Sequence, residues 1–224
     1  MARFAVDKIL FDLDGTLVDS AVDLHAATNH VLTHIGRKTI SLSEVRHMVG
    51  YGAIRLIEQG LDATGGRDGH DATELLPIFI TYYADHIADG STVFGGGAEM
   101  LNDLKEKGFS LAVCTNKRIA LAHSLLKSLD IAQYFDAVTG GDSFGFMKPD
   151  PRHLVETAKL LPGEGPFLMI GDSINDIAAA RDAGAPSIAV DFGYTDIPPS
   201  ALGANHMISS LGELPALINR AGTP

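Results

Sequence analysis

Aspartates follow two apolar runs of this sequence and are its strongest candidates for chemistry. Asp12 and Asp14 come after residues 8–11, and Asp172 comes after residues 167–171. Because residues i and i+2 of an extended segment project to the same side, Asp12 and Asp14 would bring two like charges together. A hard divalent cation such as Mg²⁺ would relieve that repulsion, with Asp172 completing its oxygen ligands. The alternative is a simple acidic turn, in which aspartate serves local hydrogen bonds.

Polar residues at two further places extend this candidate site. Thr115 and Asn116 follow the apolar run 109–114, and Lys148 follows two apolar residues, a setting in which a charge needs an anionic partner. Taken singly, the first pair also fits a polar turn, and the lysine also fits a solvated loop. Ligands of an open parallel sheet bind at the carboxyl ends of its strands. Since these residues lie at or near predicted strand ends, the sequence favours a single site.

Helix capping explains some of the remaining polar residues. Ser173 and Asp176 have capping-box spacing, and so do Ser20 and Asp23. Asp150 is predicted to be an N-cap, so we expect no catalytic role for it. Asp172 is harder to explain in this way, because a cap does not require a carboxylate at the end of the preceding strand.

The elements that would position these residues fall into two parts. Apolar residues recur at helical spacing through much of residues 18–90, which predicts an all-helical segment. From Gly95 onward, strand-like segments alternate with helical ones, which predicts a parallel sheet with helices on both faces. The strands are expected at 8–11, 109–114, 135–139, 167–170, 187–191 and 206–208. We therefore predict an α/β fold in which a helical segment interrupts a Rossmann-like parallel sheet core.

Charge and composition limit the partners of the protein. The 224 residues include 28 acidic and 17 basic side chains, for a formal net charge of −11. The resulting field repels polyanions, so we expect no nucleic-acid or membrane partner, whereas a small anionic substrate would need local positive groups. One cysteine, Cys114, allows no internal disulfide, and the first residues leave no room for a signal peptide. We expect a cytoplasmic monomer or homodimer.

Four segments together resemble the motif set of the haloacid dehalogenase (HAD) superfamily. They are Asp-Leu-Asp-Gly-Thr-Leu-Val-Asp-Ser at 12–20, Thr115-Asn116, Lys148-Pro149 and Gly-Asp-Ser-Ile-Asn-Asp at 171–176. They occur in the order found in that superfamily, and the resemblance covers essentially the whole chain. It implies an α/β core domain at 1–17 and 91–224, with the all-helical segment 18–90 as an inserted cap domain.

The resemblance implies phosphoryl transfer onto Asp12, the nucleophile, with Mg²⁺ bound by Asp12, the carbonyl of Asp14, and Asp172. It makes Asp14 the acid that protonates the leaving oxygen and then the base that activates water. Lys148 would add a cation beside the phosphate. The other implied residues are the phosphate ligands Thr115, Asn116 and Lys148, the cap residue Gly50, and the supporting residues Thr16, Ser173 and Asp176. In the cap we also expect Arg55, or Arg46 in its place, to contact a substrate carboxylate.

The resemblance also separates chemistries within the superfamily. Its dehalogenases lack the second aspartate of the first motif, so Asp14 indicates phosphate chemistry, and Ala53 stands where its phosphonate hydrolases carry a Schiff-base lysine. The stretches 49–53 and 114–117 are similar to the phosphoglycolate phosphatases, which implies 2-phosphoglycolate as the substrate. The segment 92–95 departs from the usual proline-rich hinge. A phosphatase for a sugar phosphate, a nucleotide or pyrophosphate, a phosphomutase, and a silent binding protein remain alternatives.

Overall fold

A six-stranded parallel sheet forms the centre of the fold. The computed structural model describes residues 4–67, 69–195 and 197–221. The strands in these residues are β1 (Phe4–Ala5), β2 (Lys8–Phe11), β3 (Val18–Asp19), β4 (Thr92–Val93), β5 (Ser110–Cys114), β6 (Ala137–Thr139), β7 (Phe167–Gly171), β8 (Ser187–Val190), β9 (His206–Ile208) and β10 (Ile218–Asn219). The central sheet has the order β6-β5-β2-β7-β8-β9, and β1 pairs separately with β10.

Helices connect most of these strands. They are α1 (Ala21–His34), α2 (Leu42–Arg46), α3 (Ala53–Ala63), α4 (Ala72–Asp85), α5 (Gly97–Glu106), α6 (Ile119–Ser128), α7 (Pro151–Leu160), α8 (Ile174–Asp182) and α9 (Leu214–Leu217). Short 3₁₀ turns at 132–134, 199–201 and 211–213 complete the connections. Within the described part of the chain, the helices are all too short or too polar to cross a bilayer.

Strand β2 lies in the middle of the sheet and explains why the site forms where it does. Its four residues are all buried, as expected for a strand covered on both faces. It pairs in parallel with β5 on one side and with β7 on the other. The carboxyl ends of these strands therefore lie side by side, and they are followed by Asp12, Thr115 and Asp172. The parallel α/β fold predicted from the sequence is confirmed.

The segment between β3 and β4 is mostly helical, as its periodicity predicts. Helices α1 to α4 pack against one another, and β3 pairs antiparallel with β4 where the segment leaves and returns to the sheet region. One detail differs from the predicted all-helical segment, since residues 18–19 are a strand. The division of the chain into a cap domain and a core domain stays a prediction.

The capping box predicted at Ser20 and Asp23 is wrong, because tertiary partners compete successfully for both side chains. Ser20 Oγ donates to Asp14 Oδ1 at 2.5 Å, while Asp23 accepts from Gly90 N and Ser91 N at 2.9 and 2.8 Å. Asp23 therefore ties the start of α1 to the end of the helical segment.

The other capping predictions are confirmed. Ser173 N and Oγ both donate to Asp176 Oδ2, at 3.1 and 2.7 Å, at the start of α8. Asp150 accepts from Arg152 N at 2.9 Å and caps α7. Asp176 has a second contact outside its helix, which places it in the site described next.

Candidate active site

Three buried aspartates meet at the carboxyl edge of the sheet. Asp12 follows β2, Asp172 follows β7, and Asp176 lies in the first turn of α8. One carboxylate oxygen from each lies within 4.8 Å of the others, and all three residues are buried. The structure thus brings together Asp12 and Asp172, which the sequence proposed as metal ligands, and adds the carboxylate of Asp176, proposed only as a supporting residue.

Lys148 lies among these carboxylates. Its Nζ is 2.9 Å from Asp12 Oδ1 and 2.6 Å from Asp176 Oδ1, and only 1% of its side chain is exposed. Asn116 Nδ2 donates to the Lys148 carbonyl at 2.9 Å and so fixes the backbone that carries the lysine. One ammonium faces three carboxylates, which leaves the cluster with an excess of negative charge.

Two of these carboxyl groups have raised pKa values, and burial is the largest cause. Burial raises the pKa of Asp12 to about 6, against the lowering effect of Lys148. Burial, together with the charges of Asp176 and Asp12, raises the pKa of Asp172 well above its usual range. Desolvation disfavours an uncompensated carboxylate, and a bound cation would reverse that effect.

The surroundings of the cluster fit a hard divalent cation with oxygen ligands. Added Cβ atoms at Gly171 and Gly193 would collide with the carboxyl groups of Asp176 and Asp172 respectively, so the backbone closes tightly around these groups. Thr16 Oγ1 donates to Asp172 Oδ1 at 3.2 Å. Within the described residues, Asp12 Oδ1 accepts no hydrogen bond of good geometry. An anionic, oxygen-only donor set with a free lone pair is what such a cation prefers.

Asp14 has different neighbours from Asp12. Its Oδ1 and Oδ2 are each 2.8 Å from Lys117 Nζ, and Ser20 Oγ donates to Oδ1. Lys117 Nζ also lies 4.7 Å from the ring centre of Tyr83, which comes from α4. Burial lowers the pKa of Lys117, but the neighbouring Asp14 and Tyr83 outweigh it and hold that pKa above its usual value. Sequence reasoning assigned Lys117 no role.

A cavity of about 40 Å³ lies between these groups and the helical segment. Its polar side consists of Asp12, Asp14, Thr115, Asn116, Lys117 and Arg118, and its other side consists of Leu24, Val49, Gly50, Gly52, Ala53, Leu56, Phe79, Tyr83 and Leu121. This volume holds only a few waters. The helical segment therefore closes over the site, and a ligand larger than a small acid requires it to open.

The predicted cap residues Gly50 and Arg55 differ in whether they reach the cavity. Gly50 lines the cavity, and its carbonyl accepts from Asn116 Nδ2 and Asn175 Nδ2, both at 3.1 Å. Arg55 pairs with Glu58 at 2.9 Å, is about half exposed, and is not among the residues that line this cavity. The structure thus brings Gly50, but not Arg55, to the site.

Tyr194 connects the aspartate cluster to the helical segment. Its backbone N donates to Asp172 Oδ2 at 2.7 Å, and its hydroxyl donates to Asp19 Oδ1 at 2.5 Å. Arg46 pairs with Asp19 at 2.9 Å and lies over the Tyr194 ring at 5.2 Å from its centre. Sequence reasoning missed Tyr194, whose only signal is its position in the loop after β8.

The carboxyl edge of the parallel sheet carries a buried lysine and three buried aspartates. This combination is typical of a class of α/β enzymes with an acidic active site. The family described as haloacid dehalogenase-like hydrolase matches residues 9–190. The chain belongs to that family, in agreement with the resemblance of its motifs.

Individual relatives narrow the class. A phosphoglycolate phosphatase of Caulobacter vibrioides is 43% identical over 209 residues, which cover 92% of this chain and 88% of that protein. One of Agrobacterium fabrum is 42% identical, with 94% and 92% covered. A crystal structure described as a predicted phosphoglycolate phosphatase from Haemophilus somnus has a TM-score of 0.86 at 29% identity and covers 96% of this chain and 98% of its own. The chain is thus a phosphatase, a hydrolase of phosphoric monoesters.

Proposed function

We propose that the protein hydrolyses 2-phosphoglycolate with Mg²⁺ through an aspartyl-phosphate intermediate on Asp12. The observation that carries this proposal is the position of Asp12. Among the three clustered aspartates, it alone also belongs to the cavity lining of the described chain. A nucleophile for phosphoryl transfer must touch both the charge-neutralising groups and the substrate, and Asp12 meets both requirements. The names of the curated relatives supply the substrate.

Each proposed step uses a side chain of this site. An oxygen of Asp12 forms a bond to phosphorus while the bond from phosphorus to the leaving oxygen breaks, and Asp14 donates a proton to that oxygen. Asp14 then accepts a proton from the water that attacks the aspartyl-phosphate, which releases inorganic phosphate and restores Asp12. Thr115, Asn116 and Lys148 hold the phosphate oxygens.

The cation would be bound by Asp12, Asp172 and the backbone carbonyl of Asp14. Asp176 lies close enough to hold a water that is bound to the cation, or to hold Lys148. Bound Mg²⁺ would supply positive charge that lets a carboxylate approach a phosphate dianion. Asp176 orients Lys148 by accepting its hydrogen bond. Thr16 orients Asp172 by donating a hydrogen bond to it. Ser173 fixes Asp176 in turn.

The small cavity favours a small leaving group over a nucleoside or a sugar. A two-carbon acid fits a space of about 40 Å³ far better than a ribose or hexose ring. A phosphomutase would need room for its substrate to turn over within the closed site, which is more than about 40 Å³ offers unless the helical segment moves. Cytoplasmic location, a monomeric or homodimeric state and the lack of a nucleic-acid partner stay predictions from sequence.

A substrate panel tests the proposed function. Phosphate release is measured for 2-phosphoglycolate, glucose 6-phosphate, AMP and pyrophosphate, with Mg²⁺ and again with EDTA. We expect the largest kcat/KM for 2-phosphoglycolate, loss of activity in EDTA, and recovery when Mg²⁺ is restored. A higher kcat/KM for any of the other three would reject the substrate, activity that depends on a bisphosphate activator would indicate a mutase, and silence throughout would indicate a binding protein.

A further inference from the structure

Lys117 is a buried cation on the wall of the cavity, and the chemistry described so far gives it no task. We propose that Lys117 binds a carboxylate of the leaving group and so selects phosphate esters of short 2-hydroxy acids. This inference rests on the proposed phosphatase function and deepens it, because it names the residue that distinguishes 2-phosphoglycolate from an uncharged ester of the same length.

The position of Lys117 relative to Asp14 is the first support. Its Nζ lies 2.8 Å from both carboxylate oxygens of Asp14, the group that would donate its proton to the leaving oxygen. In 2-phosphoglycolate, a single methylene separates the leaving oxygen from the carboxyl carbon. A leaving oxygen in contact with Asp14 therefore brings its carboxylate within reach of the ammonium of Lys117.

The other cations near the cavity have different positions, and this is the second support. Lys148 is held between Asp12 and Asp176 at the phosphoryl end. Arg118 lines the cavity, but its side chain is 51% exposed and lies 3.3 Å from Asp142. In the described cavity wall, Lys117 is the buried cation at the leaving-group end, with 5% of its side chain exposed.

Lys117 also has the capacity for a second carboxylate. Its ammonium carries three N–H donors, of which the two oxygens of Asp14 accept two, and among the described residues Asp14 is its one carboxylate partner. The Tyr83 ring lies 4.7 Å from Nζ, which holds the charge in place without consuming a full hydrogen bond. A substrate carboxylate would enter a water-poor space where a charge-assisted hydrogen bond is strong.

Two substrates that differ only in the carboxylate test the inference. We would measure kcat/KM for 2-phosphoglycolate and for ethyl phosphate, in which a methyl group replaces the carboxylate, with the wild type and Lys117→Gln. Both rates should fall in the variant because Asp14 loses its partner. The ratio of kcat/KM for 2-phosphoglycolate to kcat/KM for ethyl phosphate should also fall, by a factor of at least about 30. This is the loss expected when one member of a buried charged pair is removed.

Lys159→Gln is the matched control, because this exposed lysine of α7 has, in the part of the chain that the structure describes, one acidic partner, its helical neighbour Glu156 at 2.7 Å. It should retain the wild-type preference. If Lys117→Gln lowers both rates by the same factor, Lys117 acts only through Asp14, and the inference is overturned. A wild type that favours ethyl phosphate overturns it as well. A wild type that hydrolyses neither 2-phosphoglycolate nor ethyl phosphate rejects the proposed function itself.

A second measurement uses the wild type alone and does not depend on the folding of a variant. Glycolate and its uncharged isostere glycolamide are compared as inhibitors of ethyl phosphate hydrolysis. We expect glycolate to inhibit competitively at a concentration at least about tenfold below that of glycolamide, which corresponds to one charge-assisted contact. Equal inhibition by the two would contradict a cationic subsite.

Discussion

Two buried lysines contact the two aspartates of the loop that follows β2, and their surroundings differ. Lys148 lies in the loop before α7 and contacts Asp12, which follows β2, and Asp176, which lies in the first turn of α8. Lys117 contacts Asp14 and the ring of Tyr83, which belongs to the helical segment. The charged side chains of the phosphoryl end thus come from the sheet region, whereas the leaving-group end includes a side chain of the helical segment. Chemistry and selectivity therefore depend on different parts of the chain.

The largest expected effect concerns the phosphoryl end. Asp12→Asn keeps the shape of the side chain but removes the nucleophile, so we expect phosphate release to fall at least about 1,000-fold. Because the substitution removes one charge from an anionic cluster, the free energy of unfolding should not decrease. Steady-state phosphate release and urea unfolding would be measured on the same preparation. Normal turnover in this variant would refute the role of Asp12.

The two lysines should also differ in their contribution to stability. Lys148→Met leaves two buried carboxylates without their cation and should lower the free energy of unfolding by about 3–5 kcal/mol in EDTA. Lys117→Met leaves one carboxylate, which keeps the hydrogen bond from Ser20, and should cost about 1–3 kcal/mol. Urea unfolding of both variants would be compared, and Mg²⁺ should restore part of the loss only in Lys148→Met. An equal loss in the two variants would contradict the difference drawn between the two ends.

The pH dependence of cation binding provides a finer comparison. Burial raises the pKa of Asp12 to about 6 in the folded protein, above its value in the unfolded chain. Without a cation, the folded state binds the extra proton, so stability is retained at acid pH and is lost as pH rises through about 6. Mg²⁺ competes with that proton. The increase in Tm on adding Mg²⁺ should therefore grow by roughly 3–6 °C between about pH 5 and about pH 7.

The control for this pH effect is Asp12→Asn, which removes the proton of Asp12 and leaves that of Asp172. Its increase in Tm with Mg²⁺ should be smaller and should change less with pH over the same interval than in the wild type. A pH-independent increase in the wild type would mean that Asp12 does not ligate the ion.

Substitution of His153 is expected to give the smallest effect on stability. Unlike the two lysines, this buried side chain has no acidic hydrogen-bond partner in the described chain. Neither ring nitrogen has a hydrogen bond within the described residues, and the ring packs edge-on against Phe144. Burial, aided by the charge of Lys148, lowers the pKa of His153 to about 4. The unfolded chain binds this proton first, so the folded state loses stability as pH falls from about 6.5 towards about 4.

His153→Leu should remove that acid sensitivity and raise the free energy of unfolding at neutral pH by up to about 1 kcal/mol. Urea midpoints at neutral and acid pH would measure both effects. A variant as acid-sensitive as the wild type would show that the proton binds elsewhere.

The sequence predicts the phosphoryl end well, for a physical reason. A buried parallel strand is a continuous apolar run, so its end is visible, and Asp12 and Asp172 follow such ends directly. Lys117 is less visible because it follows Asn116 in a polar turn, and its partner Tyr83 lies on a distant helix. The helix-to-strand packing that joins them depends on side chains far apart in sequence. Local patterns contain no information on such pairs.

The same reason explains the error at Ser20 and Asp23. Their spacing satisfies the local rule for a helix cap, but both lie where the helical segment joins the sheet region. Long-range partners at Asp14 and at residues 90–91 are available there, and they replace the local bonds. Ser173 and Asp176 keep theirs, and the second oxygen of Asp176 bonds Lys148.

The antiparallel pair β3 and β4 places the two ends of the helical segment next to each other. Val18 is paired with Val93, and Asp19 with Thr92, so about 70 residues depart from and rejoin the remainder at one point. Insertions or deletions in those residues need not alter the register of any central strand. During evolution, the fold can therefore exchange this helical segment for one of another size or polarity. The residues at the strand ends that carry out the phosphate chemistry would keep their positions.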